Sequence, residues 1–257
     1  MLRKITIMIF LILTVVWFTN SDRIQPAREF IQNNIYVWSE MQEEKLPIYC
    51  VDTQKKQIAL TFDTAWGNED TQKILDILKK YKINVTFFMT GGWVESYPDD
   101  VKAIKAAGHD LGNHSEHHKH MPQLSNSSIC DELNSVTEKV EKLTNTKMCL
   151  FRPPYGDYNN ALIEQAKNCG YYTIQWDVDS LDWKNYGVEP IVNTVLNHKS
   201  LRNGSIILMH NGAKYTAQAL PKVIEGLQEK GFQIVPISKL IYKDNYHMEP
   251  DGSQVKD

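Results

Sequence analysis

Residues 58 to 67 read Ile-Ala-Leu-Thr-Phe-Asp-Thr-Ala-Trp-Gly. The first five form a short β-like run, and an acid, Asp63, stands where that run ends. Six further runs of the same kind follow: NVTFFM (84 to 89), HDLGN (109 to 113), CLFR (149 to 152), YYTIQW (171 to 176), SIILM (205 to 209) and FQIVP (232 to 236). Between them lie amphipathic segments at 71 to 81, 99 to 108, 129 to 143, 160 to 170 and 219 to 231. Their apolar residues recur at three and four, and several stop at Gly. Alternation of strand and helix predicts a parallel sheet with helical crossovers. Closing about seven such repeats makes a (β/α) barrel; an open doubly wound sheet is the competing architecture.

Active sites of parallel α/β folds form where strands end. Asp63 follows the first run, His114 and His118 the third, Arg152 the fourth, Asp177, Asp179 and Asp182 the fifth, and His210 the sixth. Chance places one or two ionisable groups at such ends. Five reactive ends on one face point to a site.

The segment GHDLGNHSEHHKH (108 to 120) holds five of the eight histidines. His114 and His118 are four apart, so one helical turn would bring both imidazoles within reach of a single cation. Neutral imidazole nitrogens favour zinc over magnesium or calcium. His109, His117 and His120 are expected at the surface or behind the ligands.

The chain has 257 residues, 42% hydrophobic and 23% charged, which suits one globular domain with a small appendage. A net charge of −3 argues against a nucleic-acid partner. Residues 1 to 22 start with Arg3 and Lys4, run apolar from Ile5 to Phe18 and turn polar. That is the pattern of an export signal, either cleaved or kept as a membrane anchor, and it predicts an exported protein. Residues 23 to 56 read as a stalk or linker, 57 to 243 as the functional domain and 244 to 257 as a frayed polar tail. Cys50, Cys130, Cys149 and Cys169 are spaced irregularly, which allows core thiols or one disulfide.

Five segments in order resemble the motifs of the polysaccharide deacetylases, the nodulation-type deacetylase domain of carbohydrate esterase family 4: TFDTAWG (61 to 67), HSEHH (114 to 118), RPPYG (152 to 156), DSLDW (179 to 183) and LMH (208 to 210). The AWG of the first is similar to the subgroup from spore-forming bacteria that acts on peptidoglycan. The resemblance spans residues 57 to 243 and implies a distorted (β/α) barrel and metal-assisted hydrolysis of N-acetyl groups from an extracellular amino-sugar polymer. It implies that Asp63 is the general base and His210 the general acid, with Asp182 orienting His210 and Arg152 holding Asp63 ionised. It further implies His114 and His118 as metal ligands, the backbone N–H of Tyr155 as an oxyanion donor, and Trp183 and Leu208 as the pocket for the acetyl methyl.

One position departs from the pattern. Members of the family carry a second Asp after the base as the third metal ligand, and here Thr64 stands there. A neutral hydroxyl weakens the hold on a divalent cation, so a weakly held metal is expected. Asp63 as a direct ligand, or substitution by Asn68, Glu69 or Asp70, are the alternatives. Competing functions are O-acetyl esterase activity on a xylan-type polymer and a glycan-binding module whose catalytic site has decayed.

Overall fold

The computed structural model describes residues 44 to 257, with residues 25, 29, 30 and 32 of the preceding segment. The expected export segment and most of the expected stalk lie outside the described residues. Residues Lys45–Asp257 make one compact unit.

The strands are β1 (Cys50–Val51), β2 (Gln57–Thr64), β3 (Thr86–Met89), β4 (Asp110–Asn113), β5 (Leu150–Phe151), β6 (Tyr172–Thr173), β7 (Val178–Asp179), β8 (Ile206–His210), β9 (Gln233–Ile234), β10 (Tyr246–Met248) and β11 (Ser253–Lys256). The helices are α1 (Thr71–Tyr81), α2 (Gly91–Ser96), α3 (Pro98–Ala106), α4 (Asn126–Thr144), α5 (Asn160–Asn168), α6 (Val188–Leu196), α7 (Thr216–Glu229) and α8 (Ile237–Leu240). All seven expected strands and all five expected helices form. Short elements without a full period of pattern, such as β7, α2 and α8, were not legible.

The large sheet runs β6-β5-β4-β3-β2-β8-β7, and β9 pairs with the start of β2. Every ladder in it is parallel. Consecutive strands are neighbours from β2 to β6, and β8 returns to the other side of β2. That is the circular order of a barrel opened between β6 and β7, not the reversal of a doubly wound sheet. The result is a curled, incomplete (β/α) barrel, as expected from the family pattern.

Strand β2 shows how the two-residue period sorts its side chains. Ile58, Leu60 and Phe62 join the apolar layer under the helices. Ala59 faces the barrel interior with Phe88, Leu150, Ile174 and Ile206. Thr61 and Asp63 continue that interior row, and both accept a hydrogen bond from Arg152. The strand therefore delivers its terminal acid to the mouth of the barrel.

Two boundary expectations need correction. Residues 45 to 56 are not all linker: Ile48 bridges to Ile174 beyond β6, and Cys50 to Ser205 before β8, joining this segment to two separate parts of the open sheet. Residues 244 to 257 are not a frayed tail but contain the β10–β11 hairpin, whose second strand lies parallel to β1. The buried Gln254 secures it, its amide exchanging hydrogen bonds with the backbone of Tyr242 at 2.7 and 2.8 Å. Polar side chains hid the hairpin because its pairing with β1 is made to residues 203 positions earlier.

Cys130 in α4 is bonded to Cys169 at the end of α5, while Cys50 and Cys149 are free thiols. Among the described residues no helix is long and apolar enough to cross a membrane.

Candidate active site

A cleft of about 390 Å³ opens at the carboxyl ends of the strands, lined by Asp63, Ala65, Trp66, His114, His118, Tyr155, Trp176, Asp179, Trp183, Leu208 and His210. A second cavity, about 450 Å³, sits beside the β10–β11 hairpin and brings together no histidine. The chemistry belongs to the first.

Asp63 is buried beneath the cleft floor. Arg152 Nη1 donates to its Oδ1 at 2.7 Å and to Thr61 Oγ1 at 2.9 Å, while Nη2 donates to the Gln175 carbonyl at 3.1 Å. The guanidinium is fully buried, 4.2 Å above the Phe88 ring. Burial by itself would raise the Asp63 pKa, but Arg152 above all, with His114 and His210, holds it below the ordinary carboxylate range. The acid is thus kept ionised.

His210, the last residue of β8, lies in register with Asp63 of β2. Its Nδ1–H donates to Asp182 Oδ1 at 2.7 Å, and its backbone N–H donates to Asp182 Oδ2 at 2.8 Å. The Thr216 hydroxyl donates to the same Oδ2 at 2.6 Å, so both oxygens of this fully buried acid are engaged. Burial pulls the His210 pKa down, yet Asp182 with Asp63 and Asp179 brings it above the usual histidine value. Its Nε2–H is left for the cleft.

His114 follows β4 directly, and the expectation of a helical turn between it and His118 is corrected. The chain turns through left-handed Ser115 (φ 66) and His118 (φ 52), which sets the two rings edge to face at 4.9 Å. Local bonds hold this turn: Ser115 N–H donates to Asn113 Oδ1 at 2.9 Å, and His118 N–H to Ser115 Oγ at 3.0 Å. Two carboxylates anchor it to α4. Glu116 pairs with Lys139, and buried Glu132 accepts from His117 N–H at 2.8 Å and from Lys119 at 2.8 Å. Sequence reasoning passed over both acids because each meets its partner only across the fold. His117 therefore braces the loop, and His120 pairs with Asp157. His109, expected at the surface or behind the ligands, is buried, and its Nδ1 accepts from Val85 N–H at 3.2 Å.

The donor set presents two imidazoles beside a carboxylate. His114 Nδ1–H donates to the Arg152 carbonyl at 2.7 Å, which leaves the Nε2 lone pair facing Asp63 Oδ2 at 3.6 Å. Burial lowers the His114 pKa, and burial followed by the charge of His114 pushes His118 down to about 4. Both rings are neutral near pH 7. Two lone pairs facing one another call for a cation between them, and the residues fit one. They do not make a three-ligand cage: Thr64 is buried, does not line the cleft, and donates to its own chain at Phe62 O, 3.4 Å away. Asn68 is turned to Asp100 at 2.7 Å, and neither Glu69 nor Asp70 lines the cleft. Among the described residues no three His, Cys, Asp or Glu side chains gather closely enough to cage a metal.

Tyr155 sits at φ 62 in the Pro154–Gly156 turn, whose internal hydrogen bonds use the N–H groups of Gly156 and Asp157. Its ring is stacked on His120 at 4.2 Å. Trp183 and Leu208 both line the cleft, the first half exposed and the second buried. Trp66 and Trp176 complete the aromatic lining.

A family model described as Polysaccharide deacetylase matches residues 51 to 174. The chain is 34% identical over 203 residues to the peptidoglycan-N-acetylmuramic acid deacetylase PdaA of Bacillus subtilis, covering 76% of this chain and 75% of that one. It is 36% identical over 196 residues to a peptidoglycan-N-acetylglucosamine deacetylase of Bacillus cereus, covering 74% and 91%. Among solved structures it superposes on BA3943 of Bacillus anthracis, described as a CE4 family pseudoenzyme, with a TM-score of 0.73 and 33% identity, over 82% of this chain and 73% of that one.

Proposed function

We propose, from the premise that the chain belongs to the polysaccharide deacetylase family, that it hydrolyses N-acetyl groups of an exported amino-sugar polymer of the peptidoglycan type and releases acetate. The observation that carries this reading is the pairing of two oppositely tuned groups across one cleft: Asp63 held ionised by Arg152, and His210 hydrogen-bonded to Asp182, which raises its affinity for a proton. An amide needs both, because an amine anion is too poor a leaving group to depart without a proton.

Asp63 takes the proton of the attacking water. The Tyr155 N–H stabilises the negative oxygen that develops on the acetamide carbonyl. His210 passes its Nε2 proton to the departing sugar nitrogen, and Asp182 keeps the ring in the tautomer that presents it. Trp183 and Leu208 shape an apolar space for the acetyl methyl. A divalent cation, zinc by ligand type, would be held by His114 and His118 beside Asp63, and when bound it acidifies water and polarises the carbonyl. The Cys130–Cys169 bond supports an oxidising, extracytoplasmic setting, in keeping with the export pattern of residues 1 to 22.

The test is incubation of purified protein with peptidoglycan fragments, with mass spectrometry for loss of one acetyl at a defined sugar. Release from acetylxylan but not from these fragments would assign it instead as an O-acetyl esterase. A second reading is favoured by Thr64 together with the similarity to a pseudoenzyme. In that reading the cleft binds glycan without cleaving it, and fragments bind with no acetate released across a series of added metals.

A further inference from the structure

The loop after β2 places an indole where solvent would ordinarily exclude one. Trp66 is 57% exposed, and it belongs to a small group of exposed large apolar side chains that includes Tyr155 and Trp183, both in the same cleft. Burying an aromatic ring is among the larger single gains in folding, so an indole held out in water at a cleft edge forgoes that gain.

Its position is built. The Gly67 carbonyl accepts from Trp93 Nε1 at 2.7 Å and from Asn211 Nδ2 at 3.4 Å. On the other side, Gly212 (φ 87) lies so close beneath that a Cβ there would stand 2.6 Å from the Trp66 carbonyl oxygen. These contacts hold the backbone that follows the indole and leave its ring over the cleft, 6.0 Å from His118 and 6.1 Å from His210 by ring centroids. The neighbouring rings are already in use: His120 covers a face of Tyr155, and Lys184 lies over both Trp183 and Tyr186.

We propose that Trp66 is the sugar-stacking and specificity-determining residue of this cleft, its indole packing against the apolar C–H face of the pyranose ring whose acetamide nitrogen faces His210. The inference rests on the amino-sugar reading of the site and adds the residue that seats the ring. A pyranose presents C–H bonds on one face and hydroxyls at its edge, so a flat, electron-rich surface beside the proton donor orients the sugar while its amide reaches inward.

The experiment compares wild type, Trp66→Phe and Trp66→Ala for binding of chitotetraose and of a peptidoglycan tetrasaccharide by calorimetry, alongside acetate release with kcat and KM resolved. Circular dichroism melts establish that each variant is folded, as expected for an exposed side chain. The expected result is a loss of about tenfold or more in affinity, appearing in KM more than in kcat, for Trp66→Ala, with most of it recovered in Trp66→Phe. Unchanged affinity in folded Trp66→Ala overturns the proposal, as does failure of the wild type to bind either glycan. Wild-type binding that Trp66→Ala abolishes, without acetate release by either, overturns the hydrolytic reading and upholds the stacking role.

Discussion

Asp63 and His210 are register partners on adjacent parallel strands, one the penultimate residue of β2 and the other the last of β8. Neighbouring strands lie about 4.8 Å apart, so one pair of strand ends brings a carboxylate and an imidazole to the same cleft. Each has its own buried counter-charge, Arg152 for the acid and Asp182 for the imidazole. In the proposed mechanism these counter-charges assign the two roles before any substrate arrives.

Substituting either partner separates chemistry from folding. Asp63→Asn and His210→Ala are expected to lower acetate release by about 10²- to 10⁴-fold, the usual contribution of a positioned acid or base, while far-ultraviolet circular dichroism stays native. Turnover near wild type in either purified variant would remove that residue from the mechanism.

The two pKa shifts also give a pH profile. In the proposed mechanism Asp63 acts ionised, and its depressed pKa is expected to keep activity to low pH, with loss as pH drops through that value. His210 acts protonated in that mechanism, and its raised pKa is expected to carry activity above the ordinary histidine range, with loss as pH rises through it. Asp182→Asn removes the main support of the imidazolium. In this variant the alkaline limb of kcat/KM should move to lower pH with the acid limb unmoved; an unmoved alkaline limb would detach it from His210.

Thr64→Asp puts a carboxylate directly after Asp63, at the position where the family pattern carries its third metal ligand. We expect zinc affinity to rise by at least roughly tenfold in calorimetric titration. Equal affinity in the two proteins would show that Thr64 is not the weak point of the site.

Arg152→Met should be costly for the fold as well as for catalysis. It leaves the Asp63 carboxylate buried without its principal partner, a change worth about 3 to 5 kcal/mol in buried pairs. Denaturant unfolding should show a loss of this order at pH 7, and the loss should shrink toward acid pH as Asp63 protonates and no longer needs the charge. A loss independent of pH would point to packing against Phe88 instead of charge.

Much of the site was legible before the fold was known. Short β-runs ending in Asp63, Arg152 and His210 sufficed, because parallel strands joined by helices align their carboxyl ends whatever the details between them. The histidine pair was legible as a pair and misread in its geometry: four-residue spacing suggests a helix, whereas the chain takes two left-handed turns paid for by side-chain bonds from Asn113 and Ser115. Glu132 gave no signal, since a charged residue on an amphipathic pattern looks the same whether it meets solvent or a buried N–H. The expected tail failed for a related reason, as a four-residue strand of mixed polarity has no period that separates it from coil.

The amino-acid sequence alone determined the alternation that makes the barrel, the reactive groups at its strand ends and the missing carboxylate at Thr64, because these depend on residue identity and on periods of two and three to four residues. Tertiary structure alone decided that Cys130 meets Cys169, that β11 lies beside β1, that Thr64 turns its hydroxyl to Phe62 and that Trp66 overhangs His210. Those outcomes depend on which distant segments come into contact, and contact between segments far apart in the chain is set by the packing of the whole domain and not by any local stretch of it.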